Sequence, residues 1–368
     1  MTFAFASLVT HSLFRTDPTN WTINRTSSYL DLSPLYGYDQ ATQGQVRDKA
    51  QGRGLLYPDT FSEDRLGFFP PAASALLVIF SRNHNYIADM LLKINERKQW
   101  INPPPTDEAA RANQDEEIFQ TARLINCGHF MALIFGDYVA GFLGLGRDGN
   151  AWSMQPFDDF KTMKGEKVPR GQGNHVSVEF SLLYRWHATT SAEDIQWTDN
   201  MFSKIFGSTE SIQRASPQDF LSAARQAFTS QEPDPKKRPF GGLQRGPDGK
   251  FSDDDLAKVL QDATEHVAGS YRARGTTPSL RVIEIMTMQQ ARSWGVCTMN
   301  EFRKYLGLKT FTDFEDWNPD AAIADAARKL YNHIDNLELY PGLQAEQIQD
   351  VGPGSGICCG YVPCYFPS

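Results

Sequence analysis

In the stretch Glu179-Phe-Ser-Leu-Leu-Tyr-Arg-Trp-His187, a phenol, an indole and an imidazole fall within four residues of one another. An imidazole nitrogen binds metals and moves protons at neutral pH, so an adjacent phenol makes the group a seat for redox chemistry. If the stretch is helical, Tyr184 and His187 are three positions apart and project from one face. A group held by the ring would then lie beside the phenol. By itself a histidine among aromatics is more often a hydrogen-bonded core residue than a ligand, so the pattern needs partners elsewhere in the chain.

A second pattern lies in Thr26-Ser-Ser-Tyr-Leu-Asp-Leu-Ser-Pro-Leu-Tyr-Gly37, where Ser27, Tyr29, Asp31 and Ser33 alternate. An extended backbone would put them on one side. A carboxylate, hydroxyls and carbonyls gathered there suit calcium, which takes six to eight oxygens; a solvated polar strand edge is the plainer reading. His11 sits on an apolar segment, residues 3 to 14, that reads as a helix. His84 and Arg82 sit on the clearest helix, expected from Ala72 to Trp100, with Leu77, Phe80, His84, Ile87, Leu91 and Ile94 as its apolar stripe.

Positioning these groups falls to helices. Residues 40 to 70 read as a surface excursion rich in glycine, proline and charge, and a helix is expected from about Asp115 to Phe135. The central stretch reads as a helix from about His175 to Ala188, and amphipathic segments follow over Asp253 to Arg272, Pro278 to Trp294, Met299 to Leu306 and Ala321 to Leu330. No phosphate loop, repeat or strand–helix alternation appears, so a mainly α architecture is expected. With 36 basic against 44 acidic residues in 368 and a net charge of −8, no basic stripe favours nucleic acid. Five scattered cysteines, an odd number, favour a reducing compartment and a cytoplasmic location. No apolar run approaches the roughly 18 residues of a membrane span, and the first residues lack the features of a signal peptide, so no transmembrane segment is expected.

Taken together these signals resemble the haem peroxidase and dioxygenase superfamily, and within it the dioxygenase domain of the fungal linoleate diol synthases, also called psi-factor-producing oxygenases. His11 precedes Ser27-Ser-Tyr-Leu-Asp-Leu-Ser33, Arg82-Asn-His-Asn85 and Asp137-Tyr138 follow, and Tyr184-Arg-Trp-His187 matches the family's Tyr-x-Trp-His signature. The resemblance implies a cyclooxygenase-like helical domain over residues 1–357, incomplete at both ends, followed by an unrelated tail at 358–368. It implies haem b with His187 as the proximal iron ligand, His11 as the distal base, Arg82 as a cation that polarises the departing oxygen, and calcium at Ser27, Tyr29, Asp31 and Ser33. It implies that peroxide oxidises the haem, the haem oxidises Tyr184, and the tyrosyl radical takes a hydrogen from an unsaturated C18 fatty acid such as linoleate or oleate. Dioxygen then gives the 8-hydroperoxide. Mammalian-type peroxidases carry a Phe-Arg-Tyr-Gly-His pattern, with arginine three places before the proximal histidine; tyrosine there separates oxygenase from peroxidase.

The chain departs from the family at several points. Ser12 stands where the family has an aspartate after the distal histidine, which weakens the expected calcium site. Thr287-Met-Gln-Gln-Ala-Arg292 stands where peroxidases present asparagine to the proximal imidazole, so that hydrogen bond is expected to be shortened or absent. The family's leading segment and its cytochrome P450 domain are not in this sequence, and the tail carrying Cys358, Cys359 and Cys364 reads as a frame change or a disordered end. Two further readings stay open: a haem peroxidase acting on small reductants, and an inactive haem-binding remnant. A lipid substrate is compatible with a peripheral position at lipid surfaces, and a homo-oligomer is left open.

Overall fold

The apolar stripe read over residues 77 to 94 becomes, in the computed structural model of the protein, the helix Ala72–Ile94, which buries Leu77, Val78, Phe80, His84, Ala88 and Leu92. The structure describes residues 1–139 and 176–347. The helix stops short of Trp100 because Asn95 turns left-handed at φ 41° and its amide side chain binds both the carbonyl and the N–H of Trp100. Asparagine tolerates that conformation better than other residues with a Cβ. The helix Glu108–Leu133 packs beside it. Ile118 and Ala122 close a fully buried cluster with Ala88 and Leu92, and a large side chain such as Ile118 contributes about 1.5–3 kcal/mol by leaving water.

The described residues fall into two units. One comprises Phe3–Ala132 with Gln226–His266; the other runs from Leu133 to Arg225 and onward from Val267. In the first, the helix Thr2–Leu13 agrees closely with the expected 3 to 14, and the strands Arg47–Asp48 and Leu55–Leu56 form a short antiparallel pair. Arg47 is buried. It donates to Asp115 at 2.7 Å and lies over the Phe119 ring at 3.8 Å, while Asp115 also accepts the Gly54 N–H.

The second unit is assembled from short helices around separate apolar clusters. One joins Phe202, Ile212, Leu280 and Val282, another Met299, Phe314, Trp317, Leu337, Leu339 and Leu343, and a third Leu182, Ala291, Trp294 and Tyr340. Among the described residues helices account for nearly all regular structure, as the sequence predicts. One segment, Glu108–Val139, is long and apolar enough to cross a membrane by length and composition alone. Its buried face carries the ion-paired Asp115 and the hydrogen-bonded Asn126, the pattern of a core helix.

Candidate functional site

The central stretch differs from the single helix expected of it. The helix is only Val178–Leu183, capped by Ser177, whose hydroxyl accepts the Phe180 N–H at 3.1 Å. Tyr184 is its C-cap, Trp186 donates back to the Tyr184 carbonyl, and His187–Thr189 forms a 3₁₀ turn. Tyr184 and His187 therefore do not share a helical face.

Tertiary contacts explain the break. Arg185 donates to Thr287 Oγ1 at 2.9 Å and to Gln290 Oε1 at 2.6 Å, and His187 reaches Glu284 at 2.6 Å. Glu284, Thr287 and Gln290 are spaced by three on the helix Arg281–Ser293, so one stripe of that helix holds both side chains. Past the turn, Gly269 donates to the Thr189 carbonyl, and a Cβ there would meet the Ala188 oxygen at 2.2 Å; only glycine allows that approach. We expect Ser177→Ala to cost about 1 kcal/mol by leaving the first turn of this short helix uncapped, read as a shift in denaturation midpoint.

Tyr184 is packed among aromatic rings. Trp186 stacks on it at 4.9 Å and 16°, Phe180 meets it edge-on at 5.2 Å, and Tyr138 stacks on Trp186 at 5.9 Å. Burial pushes the Tyr184 phenol up to about 12, against the lowering effect of a hydrogen bond from Tyr138. Burial and its bond to Tyr184 raise the Tyr138 phenol as well. Both phenols therefore stay protonated at neutral pH, each sensing the other.

His187 has a defined tautomer. Burial alone would raise the Glu284 carboxyl, but the hydrogen bond and charge of His187, then the Tyr340 hydrogen bond and the charge of Arg185, outweigh it and hold it below its usual range. A carboxylate only accepts, so His187 Nδ1 carries a proton, and in the neutral ring Nε2 is the atom that offers the lone pair. Neutral imidazole with a free ring nitrogen is the donor by which helical proteins commonly hold haem iron, so His187 fits that group. Tyr340 donates to the other Glu284 oxygen at 2.7 Å. An imidazole hydrogen bond, expected to be shortened or absent, is present at His187, accepted by the Glu284 carboxylate one turn before Thr287. The spacing of Glu284 from Thr287 was the signal available in the sequence.

In the first unit, His11 donates from Nδ1 to the Ser7 carbonyl at 2.7 Å and meets Phe69 edge-on at 5.2 Å. Its Nε2 is the basic atom. Burial, and then the charge of Arg65, lower it to about 4, with Glu63 opposing, so it is a neutral base across the physiological range. Arg65 is gripped in a fork by Glu63, with both bonds at 2.7 Å. Arg82 is placed otherwise. Two of its nitrogens donate to Asp59 at 2.8 Å, and it also donates to the Phe251 carbonyl and to Asp253. Its donors tie the Ala72–Ile94 helix to neighbouring loops, and the arginine whose charge acts on His11 is Arg65, in the stretch read as a surface excursion.

The expected calcium residues are not gathered. Leu30 and Leu32 adopt φ 55° and 54°, which breaks the extended alternation. Tyr29 is exposed and Ser33 buried. The Ser33 hydroxyl bonds Thr26 at 2.8 Å, Ser27 accepts the Tyr29 N–H, and Asp31 Oδ2 lies 3.3 Å from Arg123. Asp31 Oδ1 is buried without a hydrogen bond, but one oxygen beside a guanidinium is far from a calcium shell. Among the described residues no group of three or more histidine, cysteine or acidic side chains could hold a metal ion. These residues do not fit calcium.

His84, expected to be structural, is fully buried with both nitrogens bonded, to Tyr36 at 2.8 Å and to the Gly54 carbonyl at 2.9 Å. The expected loop over 141 to 173, His175 and the tail at 358–368 lie outside the described residues.

Residues 64–359 match the animal haem peroxidase family, a span that holds Arg65, Tyr184, His187 and Glu284 but not His11. The chain is 43% identical over 359 residues to a 7,8-linoleate diol synthase of Pyricularia oryzae, covering 97% of this chain and 30% of that protein. It is 40% identical over 361 residues to psi-producing oxygenase A of Aspergillus fumigatus, 98% and 33% of the two chains, and 41% identical over 366 residues to a linoleate 10R-lipoxygenase of the same species, 98% and 32%. The chain therefore spans about a third of the length of these curated relatives. Among solved structures, the fatty acid α-dioxygenase of Oryza sativa with palmitic acid aligns at TM-score 0.56 and 14% identity over 94% of this chain and 64% of that one. Peroxidase A of Dictyostelium discoideum aligns at 0.52 and 16%, over 93% and 61%. At these identities the two structures share its fold.

Proposed function

Because the chain belongs to the animal haem peroxidase family, we propose that it is the dioxygenase part of a fatty-acid oxygenase, holding haem b through His187 Nε2 and converting an unsaturated C18 acid such as linoleate to its 8-hydroperoxide. When bound, haem supplies the one-electron oxidation of Tyr184 after reaction with peroxide. The Tyr184 oxygen then removes a hydrogen atom from an allylic carbon, dioxygen adds to the carbon radical, and the peroxyl oxygen recovers a hydrogen atom from the phenol. The net change is RH + O₂ to ROOH, with the tyrosine regenerated. His11 Nε2 is the base proposed to take the proton from the activating peroxide, and Arg65 takes the place first given to Arg82 as the cation acting on it.

The observation that carries this reading is the half-buried, ring-packed tyrosine three residues before an imidazole whose Nδ1 is bonded to a carboxylate. The relatives named for acting on linoleate support the substrate class. In the test, the purified chain is supplied with haem, its absorption spectrum is recorded, and oxygen uptake with linoleate is followed with product analysis. A Soret band lost in His187→Ala, together with uptake and a hydroperoxide at carbon 8, is expected. Peroxide turnover with small reductants and no uptake with linoleate would overturn the oxygenase reading. A hydroperoxide at another carbon would overturn the position alone.

A further inference from the structure

We infer that Glu284 is a positioning residue that gives His187 its ligand character, with Tyr340 setting how much of the carboxylate charge the imidazole receives. The inference rests on the reading of His187 as a haem ligand. The His187–Glu284 contact at 2.6 Å is in the short range of charge-assisted hydrogen bonds. Glu284 cannot swing away, because Tyr340 holds its second oxygen at 2.7 Å and Tyr340 is itself buried in the cluster with Leu182, Ala291 and Trp294. Glu284 shares its helix with Thr287 and Gln290, which hold Arg185, so a cation is fixed nearby and balances the half-buried carboxylate.

A carboxylate on Nδ1–H does two things a backbone carbonyl or an amide does less well. It fixes the ring so that Nε2 is the lone-pair atom, and it feeds electron density through the ring to that nitrogen, making it a stronger donor. A stronger donor favours the oxidised metal, which suits a site that must pass an oxidising equivalent to Tyr184 and return to rest. The phenol O–H of Tyr340 draws part of that charge away.

The two partners therefore predict opposite effects. With haem bound, Glu284→Gln, nearly equal in shape but uncharged, is expected to move the ferric/ferrous midpoint potential positive and to lower the iron–imidazole stretching frequency, with haem retention falling about 10–100-fold. Tyr340→Phe leaves the carboxylate charge undivided and is expected to move the potential negative. Shifts of opposite sign support the assignment. A potential unmoved in Glu284→Gln, or shifts of the same sign in both variants, would overturn it, since a merely structural clamp has no reason to give opposite signs. If Glu284→Gln does not fold, the sign of the Tyr340→Phe shift decides. Failure of the unmodified chain to bind haem overturns the underlying haem reading instead, and is recognised because it appears before any substitution.

Discussion

Replacing Tyr184 with phenylalanine is expected to abolish oxygen uptake with linoleate, by roughly a thousandfold or more, while the haem spectrum stays that of the unmodified protein. The substitution removes one oxygen and leaves the ring, so the stack on Trp186 at 4.9 Å and the edge contact with Phe180 survive. The His187–Glu284 contact involves neither residue and is untouched. What disappears is the group able to give up a hydrogen atom and take one from the substrate; phenylalanine has no O–H to lose at an accessible potential. The Tyr138 hydroxyl loses the phenol oxygen it is electrostatically coupled to, which costs some stability. Activity should therefore be compared well below the unfolding temperature. Oxygen uptake that persists with the spectrum intact would remove Tyr184 from the reaction, and a spectrum lost along with activity would make its role structural.

How far such residues could be read from the chain depends on what fixes them. The Ala72–Ile94 helix was legible because its stripe is set by local periodicity, and His84 fell in that stripe as predicted. The tyrosine–histidine pair was legible as a pattern of types. Its geometry was not, because the helix ends at Leu183 for reasons that lie about a hundred residues away, in Thr287, Gln290 and Glu284. Local propensity carries no trace of such anchors. Glu284 carries no local mark because it lies one turn before the run at Thr287 that aligns with the peroxidase pattern, and Arg65 carries none because it lies in a glycine- and proline-rich stretch with no periodicity. The alternation of Ser27, Tyr29, Asp31 and Ser33 was a true sequence pattern that two left-handed leucines turn into something else, and Arg123, which meets Asp31, comes from a distant helix.

His84 makes the first unit sensitive to acid. Its Nε2–H donates to the Gly54 carbonyl, and Nδ1 accepts from the Tyr36 hydroxyl, whose oxygen accepts from Asn126 at 2.9 Å. Every donor in that chain has an acceptor only while the ring is neutral. A proton on Nδ1 would face the Tyr36 hydroxyl with a second donor and place a charge where no water reaches. Burial, and then the charges of Arg47 and Arg123, accordingly lower His84 from its ordinary 6.5 to about 4, against the raising effect of Gly54. In the unfolded chain the ring titrates near 6.5, so between that pH and 4 the unfolded state binds one more proton than the folded one. Stability then rises with pH over this window: the contribution is fully present above pH 6.5 and is lost as pH falls through 4. The loss is on the order of 3 kcal/mol. His11, also lowered to about 4, steepens the same fall. Denaturation midpoints measured from pH 7 to pH 4 should decline accordingly, and the decline should be shallower by about one proton in His84→Gln. An equal decline in both proteins would mean that His84 is not held neutral, and that the acid sensitivity belongs to other groups.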